Sequence, residues 1–250
     1  MSIRITHSPA TQAHTLRQSF AELYQQTSRL GYDAMIYDFT PVPFSMEGDL
    51  ITPSLLHMNN VPTDMLSLWS EHGYYQADPV QTYALKTCAP FVWSYQRPEE
   101  SALRVVLTER HQPVLDYMRD NQMPCGATVP LHLPGGGFGT ITGIAIGTQQ
   151  ESALAETLAE LSFIAHSFQE SVFPLFDSEM LTCQHVRLSK RERECLAWSA
   201  EGLTAKEIAR KLCRSVATVS LHLNTATRKL GASNRVQAVV RAMHYRLLEH

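Results

Sequence analysis

The sequence predicts a mixed α/β unit over residues 1–173, one sheet covered by helices, joined through a linker at 174–187 to an all-α unit of four short helices over 188–250. Three observations predict it. Strand-like and helix-like hydrophobic spacings interleave over the first two thirds of the chain. Near the C-terminus, two S/T-x-x-E helix starts precede a tight turn and a third helix, the pattern of a helix-turn-helix. Charge is also divided. Residues 188–250 hold 12 Lys+Arg and 5 Asp+Glu, a net of +7, and residues 1–187 hold 9 and 19, a net of −10, so the total of −3 conceals a basic unit behind an acidic one. Positive charge on a small helical unit suits a phosphate backbone. The plainer alternative is a solvated basic surface.

In the first unit, Ser8-Pro9 reads as a cap and first helical residue, with Gly31 as the stop. Tyr32 to Thr40 and Leu50 to Asn59 are strand candidates, and Pro62 to His72 and Asp78 to Lys86 short helices. Phe91 to Tyr95 reads as a strand and Val105 to Gln122 as a helix. Gly126 to His132 and Phe138 to Gly147 form a hairpin around Pro134-Gly135-Gly136-Gly137, and Ser152 to Val172 is a long closing helix.

In the second unit, Ser189 with Glu192 and Thr204 with Glu207 mark two helix starts, and Gly202 ends the first helix. Cys213-Arg214 is a tight turn, and Ser215 caps a third helix reaching about Leu230. Val216, Val219, Leu223, Ala226 and Leu230 recur at helical spacing and are expected in the core. Ser233 is the expected cap of a fourth helix. Its apolar face of Val236, Val239, Val240 and Met243 exceeds what so small a unit needs, which suggests a dimer contact.

Apolar content of 44% and charged content of 18% are globular values. No apolar run is long enough to span a bilayer, and MSIRITHSPATQ lacks the apolar core of a signal peptide, so a cytoplasmic protein without a membrane partner is expected. The five cysteines are odd in number and widely spaced, with no metal-ligand pattern; reduced thiols, no metal and no cofactor are expected. The triple glycine is followed by no Gly-Lys-Ser/Thr, and neither H-E-x-x-H nor G-x-S-x-G occurs, so no enzyme is expected.

In the C-terminal part Glu192, Leu196 and Gly202 are followed by Thr218, Val219, His222 and Leu223. In the N-terminal part stand Gly73-Tyr74, Asp78-Pro79, Trp93 and GATVPLH from Gly126 to His132. Through these positions both halves resemble LuxR-type quorum-sensing transcription factors. The resemblance implies an α/β/α sandwich that binds a small amphiphilic signal, usually an acyl-homoserine lactone. It also implies a homodimer that binds a palindromic promoter element, most often as an activator.

On that resemblance, Asp78 matches the carboxylate that accepts the ligand's amide N–H; read from the residues alone, Asp-Pro is an N-cap and first helical residue. Trp93 matches an aromatic that packs on the signal's head group. Three positions depart from the lactone-binding pattern. Met65 stands where a Trp donates to the lactone carbonyl, Trp69 where a Tyr donates to the acyl carbonyl, and Val61 where some members carry another Tyr. Methionine donates no hydrogen bond, and an unpaired buried carbonyl costs roughly 1–3 kcal/mol. The Met/Trp pair resembles a subgroup of solo LuxR-type regulators from plant-associated bacteria that respond to plant-derived compounds. Further pocket candidates are Ile36 and Asp38 on one strand face, Phe138, Thr140 and Thr142 on one hairpin strand, and Val114 and Met118 four apart on a helix. A one-residue shift would turn Asp38 to solvent, and both orientations stay open.

For DNA, the resemblance places Ser220 and Asn224, one helical turn apart, on base edges. Thr204, Lys206, Arg214, Thr218, His222 and Lys229 are candidates for phosphate contacts. The expectation is therefore a regulator that senses a small molecule, plant-derived rather than a homoserine lactone. The rivals are a lactone receptor, an enzyme tethered to a DNA-binding tail, and an interaction module with a filled core and no ligand.

Overall fold

The structure is a computed structural model that describes residues 9–147 and 151–248, so the cap expected at Ser8 lies outside the described residues. The chain divides into two compact units, one formed by residues 1–40 and 55–177, the other by residues 41–54 and 178–250. Among the described residues, no helix is long and apolar enough to cross a membrane.

The first unit is built on a five-stranded antiparallel sheet in the order β2-β1-β5-β4-β3. Its strands are β1 (Ala34–Thr40), β2 (Leu55–Asn59), β3 (Phe91–Ser94), β4 (Cys125–His132) and β5 (Phe138–Ala145). Helices α1 (Pro9–Arg29) and α6 (Glu151–Val172) pack against β1, β3 and β4. Against these strands, α6 presents Phe168 and Gln169, which meet Tyr37. On the opposite face lie α2 (Met65–Glu71), α3 (Tyr74–Ala77), α4 (Pro79–Ala84) and α5 (Gln112–Asp120). Every residue of β1 is buried, because the sheet is covered on both sides. Strand alternation then sends Tyr37 and Phe39 toward α1 and α6, and Ile36, Asp38 and Thr40 toward the shorter helices.

Several boundaries differ from the sequence reading, each for a local reason. The helix expected over Val105 to Gln122 starts only at Gln112. Pro113 sits in its first turn, where a missing N–H is harmless, and 3-10 turns at Ala102–Val105 and Glu109–His111 precede it. The helix expected over Asp78 to Lys86 is α4, and Asp78 stands extended (ψ 116°) ahead of Pro79, between α3 and α4. Gly126 lies opposite Trp93 in the β3–β4 ladder, where a Cβ would meet the Gly143 carbonyl oxygen at 2.5 Å and the Trp93 ring at 2.6 Å. The strand expected from Leu50 begins at Leu55.

Residues 41–54 instead form a loop that belongs with the second unit. The loop is folded on itself. Ser45 Oγ accepts the N–H groups of Glu47 and Asp49, Gly48 takes the left-handed conformation (φ 91°), and Phe44 bridges Leu50. Val42 and Ile51 enter the core of the second unit. Glu47 pairs with Arg241 at 2.8 Å, the Tyr245 hydroxyl accepts the Met46 N–H, and Ser54 Oγ donates to the Met180 carbonyl.

The rest of the second unit is four helices, α7 (Lys190–Ala200), α8 (Ala205–Lys211), α9 (Val216–Lys229) and α10 (Arg235–His244). Ser189–Glu192 and Thr204–Glu207 form reciprocal capping boxes, and Ser215 caps α9 through the Thr218 N–H. Gly202 closes α7 with φ 84°, and Cys213 takes φ 52° in the turn before α9. Val219, Leu223, Ala226 and Leu230 are buried as expected, but Val216 is not. At the first turn of α9 its side chain lies beyond the edge of the core. The cap of α10 is Asn234 rather than Ser233. Asn234 Oδ1 accepts the Gln237 N–H, while Ser233 bonds the Gln237 side chain. On α10, Val236, Val240 and Met243 are exposed, whereas Val239 packs against the core. The stretch expected as a linker at 174–187 is shared out. Phe176 packs on Phe39 of β1, and Cys183 is buried in the second core.

Candidate functional site

A cavity in the first unit lies between the sheet and helices α2 to α5. It measures about 20 Å³, room for one water molecule. Of the residues expected there, Ile36, Asp38, Met65, Trp69, Asp78, Trp93, Met118 and Thr142 line it. Three lie elsewhere. Val61 precedes α2 and is half-buried; Val114 faces the core one turn before Met118; Phe138 sits at the far end of β5, edge-on to His132. Thr140 is behind the wall, bonded to Asp38. Leu56, Tyr75, Val80, Gln81, Tyr95 and Ile144, none of them expected from the sequence, complete the lining.

The polar groups form two clusters, each centred on a carboxylate. Asp38 is wholly buried and faces inward. Its Oδ1 accepts from the Tyr75 hydroxyl at 3.0 Å, and its Oδ2 from Gln81 Nε2 at 2.9 Å and from Thr140 Oγ1. Asp78 caps α4 through the Val80 N–H at 2.8 Å, and also accepts from Trp69 Nε1 at 3.0 Å and the Tyr95 hydroxyl at 3.3 Å. The cap and the cavity wall are thus the same residue. Met65 and Trp69, four apart on α2, both point inward. Trp93 Nε1 donates to Thr128 Oγ1, which is hydrogen-bonded to Thr142 Oγ1 at 2.9 Å with either hydroxyl able to donate.

Burial pushes the Asp38 carboxyl up to about 7, against the pull of its Thr140, Tyr75 and Gln81 donors and with a further push from Asp78. Burial likewise pushes Asp78 up to about 6, against the Trp69, Val80 and Tyr95 donors. Among the described residues, no Lys, Arg or His lines the cavity, so neither acid has a basic counterpart there. Gln81 is buried, its Nε2 serves Asp38 and Thr140, and its Oε1 has no partner.

The second surface is on the helix-turn-helix. Asn224 is exposed and Ser220 half-buried, one turn apart on α9. Thr204, Lys206 and Arg214 are exposed, and Thr218 and His222 half-buried. Thr204 and Thr218 also serve helix starts. Lys229 differs from a free phosphate ligand. Its Nζ lies 2.8 Å from Glu192, whose side chain is only 6% exposed, so its charge is engaged inside the unit. Leu221, 64% exposed on α9, is an apolar group outside the expected set. Among the described residues, no three His, Cys, Asp or Glu side chains are grouped to hold a metal.

Comparison with known proteins agrees with both halves of this architecture. Residues 15–172 match the family model described as autoinducer binding domain, and residues 186–242 the model described as bacterial regulatory proteins, luxR family. The chain belongs to the LuxR family of bacterial transcriptional regulators and not to a family of enzymes. It is 27% identical over 207 residues to the transcriptional activator protein VanR of Vibrio anguillarum, covering 83% of each chain. It is 32% identical over 194 residues to the HTH-type quorum sensing-dependent transcriptional regulator RpaR of Rhodopseudomonas palustris, covering 76% of this chain and 74% of that protein. The crystal structure of Escherichia coli SdiA shares the fold, with a TM-score of 0.56 at 22% identity over 99% of this chain and 94% of that one.

Proposed function

We propose that this chain is a signal-responsive transcriptional activator whose cavity takes a small molecule rich in hydrogen-bond donors rather than a homoserine lactone. The observation that carries the reading is the bonding state of the pocket. The N–H of Trp69 and the hydroxyls of Tyr75 and Tyr95 already serve carboxylates, and Met65 has no donor. A lactone, which presents carbonyl acceptors, finds one hydroxyl proton at the Thr128–Thr142 pair and little else. Each carbonyl left unpaired weakens binding by roughly 5- to 150-fold, from about 1–3 kcal/mol. A plant-derived compound is the source that the Met65/Trp69 resemblance favours. Activation is supported by relatives named as transcriptional activators.

Small-molecule sites span roughly 300–1,000 Å³. A signal therefore enters by moving side chains, and the flexible Met65 and Met118 in the wall suit that. Its burial stabilises the folded unit by mass action. In this reading the bound form favours a homodimer, with the exposed Val236, Val240 and Met243 of α10 as part of the contact. The dimer sets two α9 helices in successive major grooves, with Ser220 and Asn224 on base edges and Lys206 and Arg214 among the phosphate contacts. The narrow cavity favours a second reading, an interaction module that takes no ligand. Operator affinity and sedimentation of the full chain, on a duplex selected from random sequence, separate the two. Equal affinity and equal oligomeric state with and without an extract containing the signal reject the first reading.

A further inference from the structure

The geometry points to Asp38 and Gln81 as a subsite for a protonated amine on the signal. This deepens the receptor reading and rests on it. The subsite is built from two elements. Asp38 comes from β1, beside the central strand β5, and Gln81 from α4, above it; the two are joined by a 2.9 Å hydrogen bond. That bond fixes which way the Gln81 amide faces. Nε2 must turn to the acceptors of Asp38 and Thr140, so Oε1 is left over, buried and without a donor. An unpaired buried carbonyl oxygen is an acceptor waiting for a donor that the protein does not supply.

Charge points the same way. Asp38 and Asp78 share one cavity whose wall, among the described residues, contains no Lys, Arg or His. The other titratable group facing Asp38 is Tyr75 above it, which is neutral; Tyr37, next on the strand and on the other sheet face, is neutral too. A carboxylate out of water is stabilised by a cation with hydrogens directed at it. Asp38 accepts three bonds and has capacity for a fourth at Oδ1. An ammonium group carries three N–H donors, so it can serve Asp38 and the Gln81 carbonyl together and bring the missing positive charge. A hydroxyl supplies one donor and no charge; an acyl-homoserine lactone supplies one amide N–H and no charge.

The test uses three probes of one length against the full chain: N-(2-aminoethyl)hexanamide, its uncharged analogue N-propylhexanamide, and N-hexanoyl homoserine lactone. Titration calorimetry gives affinities, and thermal melting confirms folding. The ammonium probe is expected to bind at least roughly tenfold tighter than the uncharged amide. Asp38→Asn is expected to bring that ratio close to one, and Gln81→Met to lower it several-fold. The wild-type ratio stands by itself should Asp38→Asn fail to fold. The proposal is overturned if the uncharged amide binds as tightly as the ammonium probe, or if folded Asp38→Asn keeps the wild-type ratio. Lactone binding with the ammonium probe excluded overturns the subsite and the donor-rich ligand class, and leaves a signal-responsive regulator standing. No binding by any probe, together with operator affinity indifferent to extract, overturns both.

Discussion

Replacing Asp38 by asparagine removes a buried titratable group and leaves the shape of β1 unchanged, so its effect on stability depends on pH in a direction set by burial. Asp38 is held at about 7 in the folded chain and returns to the ordinary carboxyl value near 3.9 on unfolding. The folded state therefore binds this proton more tightly. The stability it contributes is complete below about pH 4 and is lost as pH rises through about 7. At about 1.4 kcal/mol per pH unit, less where either state is half-titrated, wild type loses on the order of 2 kcal/mol through Asp38 between about pH 5 and pH 7. The Asp38→Asn variant has no proton to release there. Its stability relative to wild type should rise by a similar amount over that interval and level off above about pH 8. Asp78, held at about 6, titrates in both proteins, as do His57 and His111, whose pKa values burial lowers and whose contribution runs the other way. The difference between variant and wild type cancels the two histidines, and Asp78, which pushes Asp38 up across the shared cavity, only in part. Urea unfolding followed by Trp69 and Trp93 fluorescence, in a Trp198→Phe background, reads the first unit alone. Parallel stability–pH curves for the two proteins would refute the reasoning.

Four further variants probe other parts of the molecule. Lys229→Met leaves the buried Glu192 carboxylate without its partner; because Lys229 is itself 39% exposed, the expected cost is about 1–2 kcal/mol by urea unfolding, with little change in the salt dependence of DNA binding. Burial opposes ionisation of Glu192, and Lys229 and Ser189 outweigh it, so its pKa is lowered and this contribution fades as pH falls through the acid range. On DNA, Asn224→Ala should cost about 1–3 kcal/mol on the selected sequence and relax the preference at one base pair, whereas Lys206→Ala should weaken all duplexes alike and flatten the salt slope by about 1, both read by fluorescence anisotropy. Gly126→Ala forces a methyl group against the Gly143 carbonyl and the Trp93 ring, and a loss of about 3 kcal/mol or more in thermal melts is expected; a near-neutral result would mean that β3 and β4 can part.

Local chemistry is the legible part of this chain. The caps at Ser189, Thr204 and Ser215 depend on residues three apart, and a short window of sequence contains them whole. Asn234 escapes such a window because Ser233 beside it is as good a cap by composition. The orientation of Asp38 requires knowing that both sheet faces are covered, which no short window contains. Gln81 carries a signal that the sequence reading left unused. It stands three residues after the cap Asp78, the spacing of a capping box, but its side chain turns across to Asp38. Tyr95 follows Trp93 by two residues and so shares its strand face. Tyr75 has no such signal, since its partner is 37 positions away. From its own residues the loop at 41–54 shows only the start of a strand at Leu50, and only long-range packing assigns it to the helical unit.

That loop sets how the protein can be dissected. Cutting once between Asp177 and Ser178 would yield a recognition fragment stripped of Val42 and Ile51, each worth about 1.5–3 kcal/mol of burial, and of the Glu47 carboxylate that holds Arg241. The complementary fragment would display the same two side chains with nothing beneath them, an invitation to clump. Separate halves would therefore under-report what each does in the whole chain, and a faithful mimic of the helical half must carry residues 41–54 as a grafted peptide.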